Sequence, residues 1–305
     1  MTTALLFPGQ GSQSVGMLTD VAAAYPELIE TFAEASQVLG YDLWQLVQNG
    51  PEQALNDTRK TQPALLTASV ALYRIAKQQG LADVTAMAGH SLGEYSALVC
   101  AGVINFTDAV RLVALRGEAM QSAVAEGVGA MAAVIGLDDE KIAEICQQQA
   151  HDEVVTPVNY NSPGQVVIAG HKEAVARAAE ALKAAGAKRV LPLPVSVPSH
   201  CELMKPAAEQ LRTALKDVDF NAPNVAVINN VDVSNNTDEE AIKDALVRQL
   251  YYPVRWTSTV EKLASLSIEQ AYEVGPGKVL TGLNKRITKA FSCSALNSAA
   301  ALEQL

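Results

Sequence analysis

The stretch Val84-Thr85-Ala86-Met87-Ala88-Gly89-His90-Ser91-Leu92-Gly93-Glu94-Tyr95-Ser96-Ala97-Leu98 decides how the rest of the chain is read. An apolar run ends at Gly89, and a helix-forming run starts after Gly93. Between them stands a lone hydroxyl, Ser91, in the pattern Gly-x-Ser-x-Gly. That pattern signals a nucleophile elbow, a sharp strand-to-helix turn that pushes a serine oxygen out of the backbone. A side chain at either glycine would crowd the turn. The helix that follows aims its N-terminus at the serine, so its free N–H groups can stabilise a developing oxyanion. A second reading competes. Ser91-Leu92-Gly93-Glu94 also fits Ser-x-x-Glu, an ordinary helix-capping box. A cap needs neither the preceding strand nor the two glycines, so local context favours a nucleophile.

Composition sets the outer limits. A chain of 305 residues suggests about two domains and can bury a large core without disulfides or metals. Apolar residues make up 49% and charged residues 18%, as in an ordinary globular enzyme. The net charge of −10 has the wrong sign for a sequence-independent nucleic-acid binder. Met1-Thr2-Thr3-Ala4 lacks the basic region that opens a signal peptide. No apolar run approaches the roughly 20 residues of a membrane span. Four scattered cysteines, Cys100, Cys146, Cys201 and Cys293, show no metal-ligand spacing. They point to reduced thiols, no resident metal and a cytoplasmic protein.

Strands and helices alternate on both sides of the elbow. Ala4-Leu5-Leu6-Phe7 reads as a buried strand that enters the loop Pro8-Gly9-Gln10-Gly11-Ser12-Gln13. Helical patterns span 25–39 and 64–80, the second opened by Thr61-Gln62-Pro63, and a third spans 106–120. After Gly129 the order is strand 130–135, helix 138–149, strand 154–160, turn 161–164, strand 165–169, helix 172–185 and strand 188–193. That βαββαβ order is the split ferredoxin-like unit. It predicts a small domain, residues 126–195, inserted in a larger domain made of 1–125 and 196–305. The larger domain returns with strand 225–228, helices 238–250 and 257–265, strand 270–274 and helix 279–287. The expected fold is α/β: a hydrolase-like, mostly parallel sheet with its site at the strands' carboxyl ends, plus the inserted ferredoxin-like unit.

Two further residue types bear on chemistry. Arg111 and Arg116 lie five residues apart on a helix that is apolar nearly all round, so they cannot share a face. One can reach solvent, and the other is expected to meet a carboxylate inside. A serine nucleophile also needs a base. Of the four histidines, His90 adjoins Ser91, but an elbow points adjacent side chains apart. His151 and His171 fall at the ends of small-domain elements and are expected in solvent. His200, in Val197-Pro198-Ser199-His200 where a loop enters a helix, is the best candidate.

Several pieces then match one family in order. They are Pro8-Gly9-Gln10-Gly11-Ser12-Gln13, Thr61-Gln62-Pro63-Ala64, Gly89-His90-Ser91-Leu92-Gly93-Glu94-Tyr95, Arg116-Gly117, Asn161-Ser162-Pro163-Gly164-Gln165, Val197-Pro198-Ser199-His200 and Glu273-Val274-Gly275-Pro276-Gly277. The chain resembles the malonyl-CoA:acyl carrier protein transacylases of bacterial type II fatty acid synthesis. The resemblance runs from residue 8 to 277. It implies that Ser91 is the acylated nucleophile and His200 its base. It implies oxyanion donors at the backbone N–H groups of Gln10 and Leu92, and a main-chain carbonyl of Gln249 that orients the histidine. It assigns Arg116 to the free carboxylate of the malonyl group, leaving Arg111 a structural role. The implied substrates are malonyl-CoA and acyl carrier protein, with no permanently bound cofactor, no nucleic acid and no membrane.

Two rivals share these features. A serine esterase or thioesterase would use the same elbow without needing an arginine aimed at the substrate. A catalytically silent module that binds carrier protein would form no covalent adduct. The acidic chain also raises a question about an acidic carrier protein, which a local basic patch would answer. Lys183, Lys188 and Arg189 form one candidate patch, and Lys278, Lys285 and Arg286 form another.

Overall fold

The computed structural model describes residues 2–81, 83–195 and 197–305. Its main sheet holds β1 (Thr3–Phe7), β2 (Val84–Gly89), β7 (Ala226–Ile228), β8 (Gln270–Glu273) and β9 (Ser292–Ala295). The strand order is β7-β2-β1-β8-β9, and every pairing is parallel. Parallel strands with helices on both faces are buried on both sides, which is why Ala4-Leu5-Leu6-Phe7 is apolar without alternation. The two-residue period still shows in the packing. Leu5 and Phe7 enter one core cluster with Met87, whereas Ala4 and Leu6 enter another with Ala86 and Ala88. The sheet is parallel as expected, with one isolated antiparallel bridge at its edge, Ile228 to Asn235.

A second sheet holds β3 (Gly129–Ile135), β4 (Val155–Ser162), β5 (Gln165–His171) and β6 (Arg189–Pro192). Its order is β4-β5-β3-β6 with antiparallel neighbours, the arrangement expected of a ferredoxin-like unit. Helices Asp139–Ala150 and Lys172–Ala184 supply Ile142, Ile145, Ala178 and Leu182 to a core on one face, against Val134, Val166 and Ile168. The other face buries Met131, Val158, Val167 and Ala169 with Cys201, the neighbour of His200. The edge of β4 also exchanges backbone bonds with the main unit: Tyr160 N–H donates to the Val254 carbonyl at 3.0 Å, and Val254 N–H to the Val158 carbonyl at 2.8 Å. We read residues 126–195 as a unit inserted in the larger one; its strands and helices occupy 129–192.

Several boundaries differ from the sequence reading for local reasons. The helix opened by Thr61-Gln62-Pro63 begins earlier, at Thr58, and runs to Gln78 with Pro63 inside it. Asp57 caps it, its side chain accepting from Arg59 N–H at 2.9 Å. The turn at 161–164 is shorter than composition suggests. Strand β4 continues through Ser162, and Gly164, at φ 69°, makes the reversal possible. Strand β9 and the helices Thr19–Ala24 and Leu43–Asn49 were not expected. Ser292-Cys293-Ser294-Ala295 has no apolar run, because only one side chain, Cys293, is buried.

The Glu273-Val274-Gly275-Pro276-Gly277 piece acquires a structural role. Glu273 is fully buried at the end of β8. Its two carboxylate oxygens accept from Leu280 N–H at 3.0 Å and Thr281 N–H at 2.7 Å, in the first turn of helix Val279–Ile287. Both groups would otherwise be orphaned donors at a helix N-terminus. Glu273→Ala is therefore expected to destabilise the chain by about 2 kcal/mol. Urea unfolding should show a lower midpoint with an unchanged slope.

Candidate active site

Three strand ends deliver the site. Pro8-Gly9-Gln10 follows β1, His90-Ser91-Leu92 follows β2, and Asn229-Asn230 follows β7. These are the carboxyl ends of adjacent parallel strands, where open α/β sheets place ligands. Ser91 holds φ 51°, a left-handed conformation that costs energy for any residue but glycine. The turn is possible because its flanks are glycines. A Cβ on Gly89 would overlap the backbone of Gly93, and one on Gly93 would overlap the Phe7 carbonyl. The sharp turn thus needs both glycines, and it lifts the hydroxyl off the sheet.

The capping-box alternative fails on geometry. No side chain caps the Gly93–Cys100 helix. Ser91 N–H donates instead to Asn230 Oδ1 at 2.7 Å, and Asn230 Nδ2 donates to the Gly89 carbonyl at 2.7 Å. Glu94 turns inward. Its Oε2 accepts from Asn230 N–H at 3.0 Å and from Gln249 Nε2 at 2.8 Å. One asparagine therefore clips both sides of the elbow, and a buried glutamate holds that asparagine. Burial pushes the Glu94 carboxyl up to about 7, against the lowering effect of the bonds from Gln249 and Asn230.

His200 lies 109 positions away in sequence, yet its Nε2 stands 2.8 Å from Ser91 Oγ. Its other ring nitrogen, Nδ1, lies 2.6 Å from the Gln249 main-chain carbonyl. A carbonyl can only accept, so Nδ1 carries the proton and Nε2 is free to accept from the serine. His200 also sits at φ 64°, so both partners of this bond occupy strained backbone. Burial and then the positive charge of Arg116 lower the imidazole from its ordinary range to about 3. The ring is neutral at neutral pH.

Arg116 is 1% exposed. Its NH2 donates to Ser91 Oγ at 3.3 Å and to Gln249 Oε1 at 3.0 Å, and its NH1 donates to Gln62 Oε1 at 2.7 Å. Nε is buried without an acceptor among the described residues. The carboxylate partner expected for a buried arginine is not there: the acceptors are two amides and a hydroxyl. Amides fill this role because their oxygens satisfy N–H donors without carrying charge. Arg111 takes the solvent position, paired with Asp108 at 2.8 Å.

Gln10, Leu92, Ser91, His200 and Arg116 line one cavity with Gln62 and His90. Met131, Asn159, Leu193 and Val195 of the small-sheet segment form its opposite wall. Gln249 braces the site from behind. His90 lines the cavity too, but its Nε2 lies 2.8 Å from Asn161 Oδ1 and its ring packs on Trp256. His171 is not free in solvent as expected. It is half-buried, and its Nδ1 accepts from Val154 N–H at 2.8 Å, tying β5 to β4. His151 is exposed.

The residues missed in the sequence are Asn230, Glu94 as a brace, and the side chains of Gln62 and Gln249. Asn229-Asn230 directly after an apolar strand was a usable signal, since polar residues at such strand ends are placed for binding. Among the described residues no cluster of three or more His, Cys, Asp or Glu could hold a metal. Among the described residues no helix is long and apolar enough to cross a membrane.

Comparison with known proteins places the chain in a family. The acyl transferase domain family matches residues 4–293. The malonyl CoA-acyl carrier protein transacylase of Escherichia coli K12 is 67% identical over 299 residues, covering 98% of this chain and 97% of the relative. The enzyme of the same name from Haemophilus influenzae is 61% identical over 298 residues, covering 97% and 96%. Among solved structures, an acyl carrier protein S-malonyltransferase from Vibrio cholerae superposes with a TM-score of 0.97 at 61% identity, covering 100% of this chain and 99% of that one. A malonyl-transacylase in complex with its type II polyketide acyl-carrier protein superposes with a TM-score of 0.98 at 60% identity, covering 99% and 98%. With relatives this similar along nearly the whole chain, the protein belongs to the malonyl CoA-acyl carrier protein transacylases of the acyl transferase domain family.

Proposed function

We infer that this chain moves a malonyl group from malonyl-CoA to the phosphopantetheine thiol of acyl carrier protein, through an ester on Ser91. The observation that carries this reading is a neutral imidazole 2.8 Å from a serine hydroxyl that also accepts from a buried arginine. In the first half-reaction Ser91 Oγ attacks the thioester carbonyl carbon, and its proton passes to His200 Nε2. The oxyanion that forms takes N–H bonds from the backbone of Gln10 and Leu92, each donor contributing about 3 kcal/mol. The C–S bond then breaks, and coenzyme A leaves as a thiol with the proton held by His200. The second half-reaction reverses these steps with the carrier thiol as nucleophile, giving ping-pong transfer.

Gln249 supports the base with a carbonyl where many hydrolases use a carboxylate. A carbonyl stabilises the imidazolium less, so orientation is the larger part of its contribution. Arg116 supplies the selectivity. A malonyl ester ends in a carboxylate one methylene from the reacting carbon, and a guanidinium with unused donors beside Ser91 Oγ can grip that end in a charge-assisted pair. An esterase has no use for such a group. All four cysteines are unpaired, which fits a cytoplasmic setting. Carrier protein would dock near one of the basic patches. Of these, Lys183 is already paired with Glu180 at 2.8 Å, and Arg286 donates to Gln165.

Intact-protein mass after mixing with malonyl-CoA should show a malonyl increment that Ser91→Ala abolishes. Persistence of the increment in that variant would move the nucleophile elsewhere. Arg116→Ala should lower malonyl transfer by about a hundredfold or more, the scale of losing two charge-assisted bonds. Acetyl transfer should fall far less, and equal losses would favour the esterase reading. The rate of acylation should depend little on pH. A base must be unprotonated to work, and a lowered imidazole stays unprotonated well below its ordinary range. Single-turnover acylation should therefore stay flat from about pH 8 down past 6.5, where an ordinary histidine would start to lose about tenfold per unit.

A further inference from the structure

The acceptors around Arg116 carry no charge; exposed Arg286, on Gln165, shares this, and six other arginines do not. Arg59, Arg74, Arg111, Arg177, Arg212 and Arg248 all pair with carboxylates. Those arginines sit at or near the surface. Arg116 is the buried one, where an ion pair would matter most, and it meets Gln62 Oε1, Gln249 Oε1 and Ser91 Oγ. Below the guanidinium lies the Tyr95 ring, its centroid 5.4 Å from Cζ. Tyr95 is neutral too, its phenol pushed up to about 12 by burial.

The acid in this neighbourhood stands one step back. Gln249 Oε1 accepts from Arg116 while Gln249 Nε2 donates to Glu94 Oε2 at 2.8 Å. The amide is thus a spacer between guanidinium and carboxyl. Gln62 continues the pattern on the other side, its Nε2 resting on Met120 Sδ at 3.5 Å rather than on an acid. A glutamate at either position would have nearly the same shape and could make the same bond. It would also neutralise the cation and leave the acyl carboxylate to compete for an occupied partner.

We propose that Gln62 and Gln249 determine specificity: their neutral amides orient the Arg116 fork while reserving its charge for the carboxylate of the acyl group. This rests on the transferase reading above and adds to it. Arg116 supplies the charge that selects, and its uncharged partners leave that charge available. Gln249 has a second task through its main-chain carbonyl on His200, so its side chain links the acyl clamp to the base.

The test compares kcat/KM for malonyl-CoA and acetyl-CoA in wild type, Gln62→Glu and Gln62→Met. Gln62→Glu adds charge at constant shape and should lower the malonyl-to-acetyl ratio by about tenfold or more, the worth of one charge-assisted bond. Gln62→Met removes the acceptor without adding charge. It loosens the fork without occupying its charge, so malonyl transfer should slow by no more than about threefold while acetyl transfer, which does not use Arg116, holds. A wild-type ratio in Gln62→Glu, or an equal drop in Gln62→Met, overturns the proposal. An acetyl adduct seen by intact-protein mass shows that each variant is folded and has a working nucleophile. Should Gln62→Glu fail that check, Gln249→Glu adds charge on the NH2 side and keeps the main-chain carbonyl; because it also faces Glu94, the ratio rather than either rate is read, and a wild-type ratio overturns the proposal. Failure of wild type to form a malonyl adduct would instead remove the transferase reading itself.

Discussion

A positive charge buried beside a hydroxyl is the constraint on which this site depends. Removing a guanidinium from water is costly unless its donors are met, and here amides and a hydroxyl meet those of NH1 and NH2 while Nε has no acceptor among the described residues. Everything close to Arg116 then has to be consistent with an uncompensated cation. The imidazole of His200 is held neutral partly by that charge. Glu94 is kept one amide away from it. The cost of the arrangement falls on folding stability, and on the function proposed above the return would be an electrostatic field ready for an anionic acyl group.

The elbow is stabilised from below by a compact polar network. Asn230 accepts from Ser91 N–H and donates to the Gly89 carbonyl, so a single side chain spans the turn. Glu94 and Gln249 lock that asparagine and the Ser91 carbonyl in place. Two non-glycine residues with positive φ, Ser91 and His200, are tolerated because this surrounding network over-determines them. Preorganisation of this kind lets donors act without moving when charge develops.

The small unit does more than add bulk. One of its faces has its own apolar core, and the other closes over Cys201 and supplies a wall of the cavity. Its β4 edge is stitched to the Val254 loop, and its Asn161 lies against His90. A cavity walled by two units can exclude water from an acyl ester while leaving a mouth for a long thioester substrate.

Local sequence determined the elements and the turn. Gly89 and Gly93 flanking a serine, an unbroken apolar run in β1, and βαββαβ spacing were all legible, because each is a short-range pattern with one economical fold. The four-residue capping match at Ser91–Glu94 was legible in the same way, and only the strand and glycines around it outweighed it. Local pattern cannot tell whether a glutamate folds back or turns inward, and Asn230, 136 positions away, decided it. A carboxylate was expected for Arg111 or Arg116; Arg111 has one in Asp108, whereas the acceptors of Arg116 are uncharged, because burial demands an acceptor but nothing nearby in sequence says which one. Tertiary structure alone brought His200, Gln249, Gln62 and Asn230 to one serine from four separate segments. Ser91 and Asn230 meet because parallel β2 and β7 end on the same side of one sheet, while two helices bring Gln62 and Gln249 and a loop brings His200 to that edge, a geometric outcome that no single segment contains.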